Sequence, residues 1–296
     1  MSIINKAISK RITLGYLVEN YGFDLVPEFA SEVTVTSIAT TVESVRQGSL
    51  YVPNFTPSLK QIQQAYELGA YALLVPRAMK MHIKEALIPV LYADISASQL
   101  GILAGDVSGD PSKMLAVFAV TGDDDDEINA NVIRLAEFLH MLGNPVGVIS
   151  ALGTTSMNRE MPFKYPVNMV DVQYALSVFL EDGVSAAIIA MNEQTLKADS
   201  LQNIHIDVIG NPVHQTNIEA VAYLQELQKT YGFIVGKNAE ITMRDESSDV
   251  MATQSQLART NDERDHLSLS IAMLVAAGIK KNNISNALRV ARELKK

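Results

Sequence analysis

The sequence predicts an α/β fold of two domains, a small one at the N-terminal end and a larger one built on a parallel sheet. Three observations predict it. The chain has 296 residues, which at roughly 150 residues per domain allows two separate cores. Short apolar runs alternate with amphipathic stretches of helical period along its length. In the second half the runs 115–120 (LAVFAV) and 186–191 (AAIIAM) are apolar throughout, as strands of a parallel sheet covered on both faces must be.

Each element follows from local pattern. Residues 33–38 (VTVTSI) and 49–52 read as strands. Residues 57–69 read as a helix: Pro57 suits the first turn, Leu59, Ile62, Ala65, Tyr66 and Leu68 supply apolar positions, and Gly69 stops it. Residues 71–75 (YALLV) follow as a buried strand, 79–87 as a helix and 89–92 as another strand. Residues 1–94 thus form the first domain and 95–296 the second. The second opens with a connecting helix over 96–107, ended by Gly109 and Pro111. Strand 115–120 leads into a helix from about 127 to 142, stopped by Gly143, Asn144 and Pro145. Residues 146–150, 186–191 and 204–209 are further strands, with helices at 170–181 and 218–229. A helical pair, 265–278 and 283–296, is broken at Gly278.

Composition narrows the functional classes. At 48% hydrophobic and 19% charged residues, the chain is a folded protein and not a disordered one. It has no cysteine, so disulfides, thiol nucleophiles and thiolate zinc sites are excluded. Its N-terminal 17 residues carry Lys6, Lys10 and Arg11 without an uninterrupted apolar core, which fits neither a signal peptide nor an anchor. No apolar run approaches the ~20 residues that span a bilayer; no membrane association and a cytoplasmic setting are the expectations. A net charge of −9 without a basic stripe argues against nucleic acid. Five of the acids are consecutive, at residues 123–127 in VTGDDDDEINAN, and they amount to more than half of that net.

Their position matters more than their number. A strand ending in Val120, Thr121 and Gly122 that opens directly into a helix is where nucleotide-binding folds place a phosphate loop. Such a loop needs glycines so that N–H groups converge, a lysine for the β- and γ-phosphates, and a Ser or Thr hydroxyl for Mg²⁺. After Gly122 this chain has Asp123, Asp124, Asp125, Asp126 and Glu127. Two unit charges about 4 Å apart repel by about 4 kcal/mol at an effective dielectric near 20. Several carboxylates facing a polyphosphate would therefore cost on the order of 10 kcal/mol, against the ~8 kcal/mol of micromolar binding.

At this loop the chain resembles a family. Its segment order is similar to that of the Mur ligases, in particular the MurE type, ATP-dependent enzymes that add an amino acid to a UDP-N-acetylmuramoyl peptide. Residues 33–75, with QGSLYV and A…LGA…LLV, resemble their uridine-site domain. Residues 88–122, with GDPSKML and VTG, resemble the linker into their central ATPase domain. LGNPVGVISALG at 142–153 and the helical pair from His266 to Leu288 are similar to later parts of that domain. The departures fall where the family's catalysis would be. Its phosphate loop, T-G-T-N-G-K-T-T, places the lysine at Asp126 and the Mg²⁺-binding threonine at Glu127. Its metal-binding glutamate falls on Ala190, with Glu193 three residues on, and its carbamylated lysine falls on Leu224. Its T-N-L…D-H-L-D element corresponds to GNPVH at 210–214, and its D-S-R uridine motif to Thr41, Val42 and Glu43. The resemblance also implies a third domain starting where the chain stops at Lys296, and that domain is expected to be absent.

Each candidate residue carries a plainer reading beside the functional one. The acids at 123–127 most simply cap a helix N-terminus; the alternatives are a cation site using Asp123, Asp125 and Asp126, or direct ATP binding. Thr154 and Thr155, at a turn between strands, together with Glu193 and His214, outline a ligand cleft if they converge, and otherwise bond within their own loops. The histidines, His82, His140, His205, His214 and His266, lack zinc-site spacing. Ile271, Leu274 and Val275 share one face of the penultimate helix, which belongs to the core or, if uncovered, to a homodimer surface. The expectation is a non-catalytic Mur-ligase-like protein without catalytic residues or cofactor. By the resemblance it would act near bacterial peptidoglycan synthesis through a protein partner or a homodimer. An active ligase with a rebuilt ATP or metal site, and a UDP-sugar-peptide sensor, are the alternatives.

Overall fold

The computed structural model describes residues 12–83, 86–213, 217–236 and 241–294, and the chain divides into two units between Asp110 and Pro111. In the first unit, β1 (Ile12–Thr13) leads straight into α1 (Leu14–Tyr21), because the Thr13 hydroxyl accepts from the Tyr16 N–H and caps the helix. β2 (Asp24–Val26) follows. The expected strand over 33–38 is two strands: β3 (Thr34–Val35) pairs with β1, and β4 (Ser37–Ala39) pairs with β5 (Ser49–Tyr51). α2 (Leu59–Glu67) starts at Ser58, which exchanges hydrogen bonds with Gln61 in a capping box, and it buries Ile62 and Ala65. The chain then reverses at Gly69, where φ is 101° and a β-carbon would strike the Gln47 backbone at 2.9 Å, so only glycine fits. β6 (Ala70–Val75) and β7 (Val90–Tyr92) complete a sheet of order β2-β7-β6-β5-β4, parallel except for β2.

Two expectations for this unit are corrected. No α-helix forms over the described part of 79–87; there is a 3₁₀ turn, Arg77–Met81, and residues 84–85 lie outside the described ones. Every residue of that turn except Met79 is exposed, so no apolar face exists to propagate a helix. The unit also runs past the boundary expected at 94. α3 (Ala97–Ser108) belongs to it, packing on β4. Tyr16 and Tyr21 both donate to Asp106 Oδ2, at 3.0 and 2.8 Å, and tie α3 to α1.

The second unit is a sheet between two helical layers. β8 (Ala116–Val120) is followed by α4 (Asp125–Met141), β9 (Val146–Ser150), the hairpin of β10 (Gly153–Ser156) and β11 (Arg159–Met161), α5 (Met169–Glu181) and β12 (Ala186–Ala190). Then come β13 (His205–Ile206), β14 (Val208–Gly210), α6 (Asn217–Tyr231), β15 (Ile234–Val235) and β16 (Ile241–Thr242). α7 (Glu246–Ser255), α8 (Asn261–Ala276) and α9 (Lys281–Leu294) close the unit. The strand order is β11-β10-β9-β12-β8-β14-β16, parallel from β9 to β16 and antiparallel at the hairpin. Side chains alternate across the sheet. Ala187 and Ile189 of β12 face a core with Leu176 and Phe179 of α5 and Leu227 of α6. Ala186, Ile188 and Ala190 face one with Ile128, Val132 and Leu135 of α4 and Leu267, Ile271 and Leu274 of α8. Each fully buried Val, Leu, Ile or Phe side chain among them contributes about 1.5–3 kcal/mol.

Ile271 and Leu274 are therefore covered by the chain's own sheet and helices, at 1% and 0% exposure, and Val275 packs against the same core. This removes them as a dimer surface. No described helix is long and apolar enough to cross a membrane.

Candidate functional site

Topology selects the candidate site. β8 lies at the centre of the five parallel strands, with the chain passing to one side of it for β9 and β12 and to the other for β14 and β16. Ligands of open α/β sheets gather at the carboxyl ends of strands around such a reversal. Here those ends are Thr121 and Gly122 after β8, Met191 and Asn192 after β12, and Asn211 and Pro212 after β14. The Thr121 N–H donates to Gly210 O at 2.9 Å and the Met191 N–H to Val120 O at 2.8 Å, which holds the three ends level. Gly210 also allows α8 to sit close, since a β-carbon there would collide with Met273.

The first turn of α4 makes hydrogen bonds within the chain. Asp124 is its N-cap, and its Oδ1 accepts from the Glu127 N–H at 2.8 Å. That N–H is among those an unmodified helix end would offer an anion. Asp125 is gripped by two amides from the loop after β12: Asn192 Nδ2 donates to Oδ1 at 2.6 Å, and Gln194 Nε2 donates to Oδ2 at 2.6 Å. Asn192 is buried and used at both ends, because its Oδ1 accepts from the Thr195 N–H at 3.0 Å. The Thr195 hydroxyl in turn accepts from the Ala151 N–H at 2.9 Å, beyond the end of β9. One hydrogen-bonded chain thus runs from α4 through the β12 loop to the β9 loop.

Tyrosines from α6 form the opposite wall. The buried Thr121 hydroxyl and the Tyr223 hydroxyl are 2.8 Å apart. Burial pushes the Tyr223 hydroxyl above its ordinary value; the bond to Thr121 opposes this, and Asp123 and Glu226 add to the rise. Tyr231 is pushed up to about 12 by burial first, then by Glu193, Tyr223 and Asp125. The acids of the two loops therefore act together on this wall. Asp123 and Asp126 are exposed and Glu127 is half-buried. Asp123 and Asp126 thus present their carboxylates to solvent beside this helix end.

The remaining expectations fare differently. Among the described residues, which include Asp123, Asp125 and Asp126, no three His, Asp or Glu side chains are placed to hold a metal. Asp125 itself accepts from two amide donors. Thr154 is buried in β10 with its hydroxyl 2.6 Å from that of Tyr165, and Thr155 pairs with Glu160 in the hairpin. No described hydrogen bond joins either to Glu193, which is exposed beyond β12. His214 lies outside the described residues. Ala190 is fully buried, and Leu224 is half-buried against the core. Thr41 caps a short 3₁₀ turn with Ser44. Asn192, Gln194, Thr195 and Tyr223 were not anticipated. Asn192 and Asp125 are 67 positions apart and Thr121 and Tyr223 are 102 apart, and no local pattern marks such pairs.

The comparisons with known proteins show likeness in sequence and in fold to Mur ligases. No protein-family model matches the chain. It is similar in sequence to UDP-N-acetylmuramoyl-L-alanyl-D-glutamate–2,6-diaminopimelate ligases, the MurE type. It is 26% identical over 194 residues to that of Xanthomonas oryzae pv. oryzae, and 28% identical over 193 residues to that of Ectopseudomonas mendocina. Each match covers 62% of this chain and only 38% of the relative. In fold it is similar to a solved 2,6-diaminopimelate ligase of the same description, with a TM-score of 0.57 at 11% identity, covering 95% of this chain and 67% of the other. Against MurF from Acinetobacter baumannii the TM-score is 0.58 at 14% identity, covering 95% and 68%.

Proposed function

We propose that the chain is a non-catalytic member of the Mur-ligase-like group that keeps the fold for binding or assembly, in the cytoplasm and in the setting of peptidoglycan synthesis. One observation carries this reading: at the helix end that follows β8, the chain's own carboxylates are engaged with its own donors. Asp124 holds the Glu127 N–H and Asp125 is held by Asn192 and Gln194. In the family's register, Asp126 and Glu127 then stand where a lysine and a hydroxyl would contact phosphate and Mg²⁺. The sequence similarity to diaminopimelate ligases supports the peptidoglycan setting. A helix end with one N–H already capped and further carboxylates around it disfavours a triphosphate by repulsion and by loss of that donor.

The decisive measurement is calorimetric titration of the full chain with Mg·ATP, paired with a phosphate-release assay. No turnover is expected, and no saturable heat that Asp125→Asn alters. Saturable turnover that responds to Asp125→Asn would overturn the reading in favour of a ligase with rebuilt chemistry. A thermal-shift series with UDP-N-acetylmuramoyl peptides addresses what is bound. A raised Tm without turnover would make the binding role that of a sensor of these precursors.

A further inference from the structure

Away from the strand ends, a cavity of about 620 Å³ opens between α4, the turn joining α7 to α8, and α9. Arg134 and Glu137 of α4, Arg259 of the turn, Glu263 of α8 and Arg292 of α9 line it, with Leu257 as an apolar wall. Its volume lies in the range of roughly 300–1,000 Å³ that small-molecule sites occupy.

The carboxylates in the cavity do not use up its cations. Glu137 pairs with Arg134 Nη1 at 3.1 Å. Glu263 Oε2 is taken by the Arg259 backbone N–H at 2.6 Å, so that the bond leaves the Arg259 guanidinium untouched. That backbone bond, with help from the Arg134 and Arg259 charges, holds the Glu263 carboxyl below the usual range and keeps it ionised. Among the described residues, neither Arg259 nor Arg292 has an ion-pair partner. Three guanidiniums therefore face two carboxylates in a chain whose net charge is −9.

We infer that this cavity is a binding site for a small phosphorylated molecule. Guanidinium forks present paired donors at the spacing of phosphate oxygens and are less strongly hydrated than ammonium groups. The arginines come from three separate elements and line a concavity, which suits a compact anion better than an extended acidic chain. Leu257 gives the carbon part of such a molecule an apolar surface.

The test is calorimetric titration of the full chain with inorganic pyrophosphate, with citrate as the carboxylate arm. Pyrophosphate should bind more tightly than citrate, and more weakly as NaCl is raised. Arg292→Gln and Arg259→Gln should each raise Kd by about tenfold, about 1.4 kcal/mol. Glu137→Gln should lower it, which keeps the test informative if an arginine variant folds poorly. Absence of pyrophosphate heat at millimolar concentration overturns the inference, as does heat that survives the double Arg259→Gln, Arg292→Gln variant. Tighter binding of citrate overturns the assignment to a phosphorylated ligand.

Discussion

The first turn of α4 carries Asp125, Asp126 and Glu127, whereas two turns further along the same helix Arg134 reaches a cavity shared with Arg259 and Arg292. Both regions bring like charges together, and they handle them in opposite ways. At the helix start, each carboxylate with a described bond has a donor from the chain: an N–H for Asp124, two amides for Asp125. At the cavity, two guanidiniums have no ion-pair partner among the described residues. The contrast teaches that charge density alone does not mark a binding site. What matters is whether the fold has already satisfied the charges.

The comparison breaks most readily at Asn192. Asn192→Leu removes the Asp125 donor and the Thr195 acceptor together in a buried place, and is expected to cost about 2–3 kcal/mol. Urea denaturation would show it as a lower midpoint at unchanged slope. A loss below about 0.5 kcal/mol would mean that the Asp125 grip is not a structural element. Arginine substitutions in the cavity should behave in the reverse manner. Arg292→Gln changes pyrophosphate affinity by about tenfold while the urea midpoint stays within about 0.5 kcal/mol of the parent. Asp124→Ala removes one cap bond and is expected to cost about 1 kcal/mol. The same variant exposes the Glu127 N–H, so a gain of phosphate binding at this end would sharpen the contrast.

The smallest effect is in alkali. Tyr231 rises from the ordinary 10.0 to about 12 in the folded chain, so the folded state holds its proton where the unfolded state has lost it. Its stabilising contribution is complete below about pH 10 and is lost as pH rises through about 12. Urea midpoints taken between pH 9.5 and 11.5 should fall less steeply in Tyr231→Phe than in the parent. Asp125→Asn should bring the Tyr231 titration down, read from the ultraviolet absorbance of tyrosinate. An unchanged titration would mean that the acids of the α4 turn do not act on this wall.

Much of the fold was legible because it rests on local period. α2 has its Ser58 and Gln61 box and its apolar positions in sequence, and β8 and β12 are apolar throughout because both faces of the sheet are covered. Elements without such a signature were not read. α7 mixes Ser, Asp, Met and Thr without a clear apolar stripe. The strand expected over 204–209 is split at Asp207, whose Oδ2 accepts from the Val117 N–H at 2.8 Å and takes the place of a ladder bond. A carboxylate substituting for a backbone carbonyl depends on a strand 90 positions away, and no window of sequence contains both.

By itself the sequence determined the α/β class, the placing of an acidic turn after a central apolar strand, and the resemblance that gives this turn its meaning. These depend on composition and on spacings of a few residues, which the backbone period converts directly into structure. Only the tertiary structure decided that Asp125 is spent on Asn192 and Gln194, that the apolar face of α8 is covered, and that Arg134, Arg259 and Arg292 share one cavity. Each of these is a meeting of side chains from different elements, and the free energy of a charge is set by the groups that surround it in space.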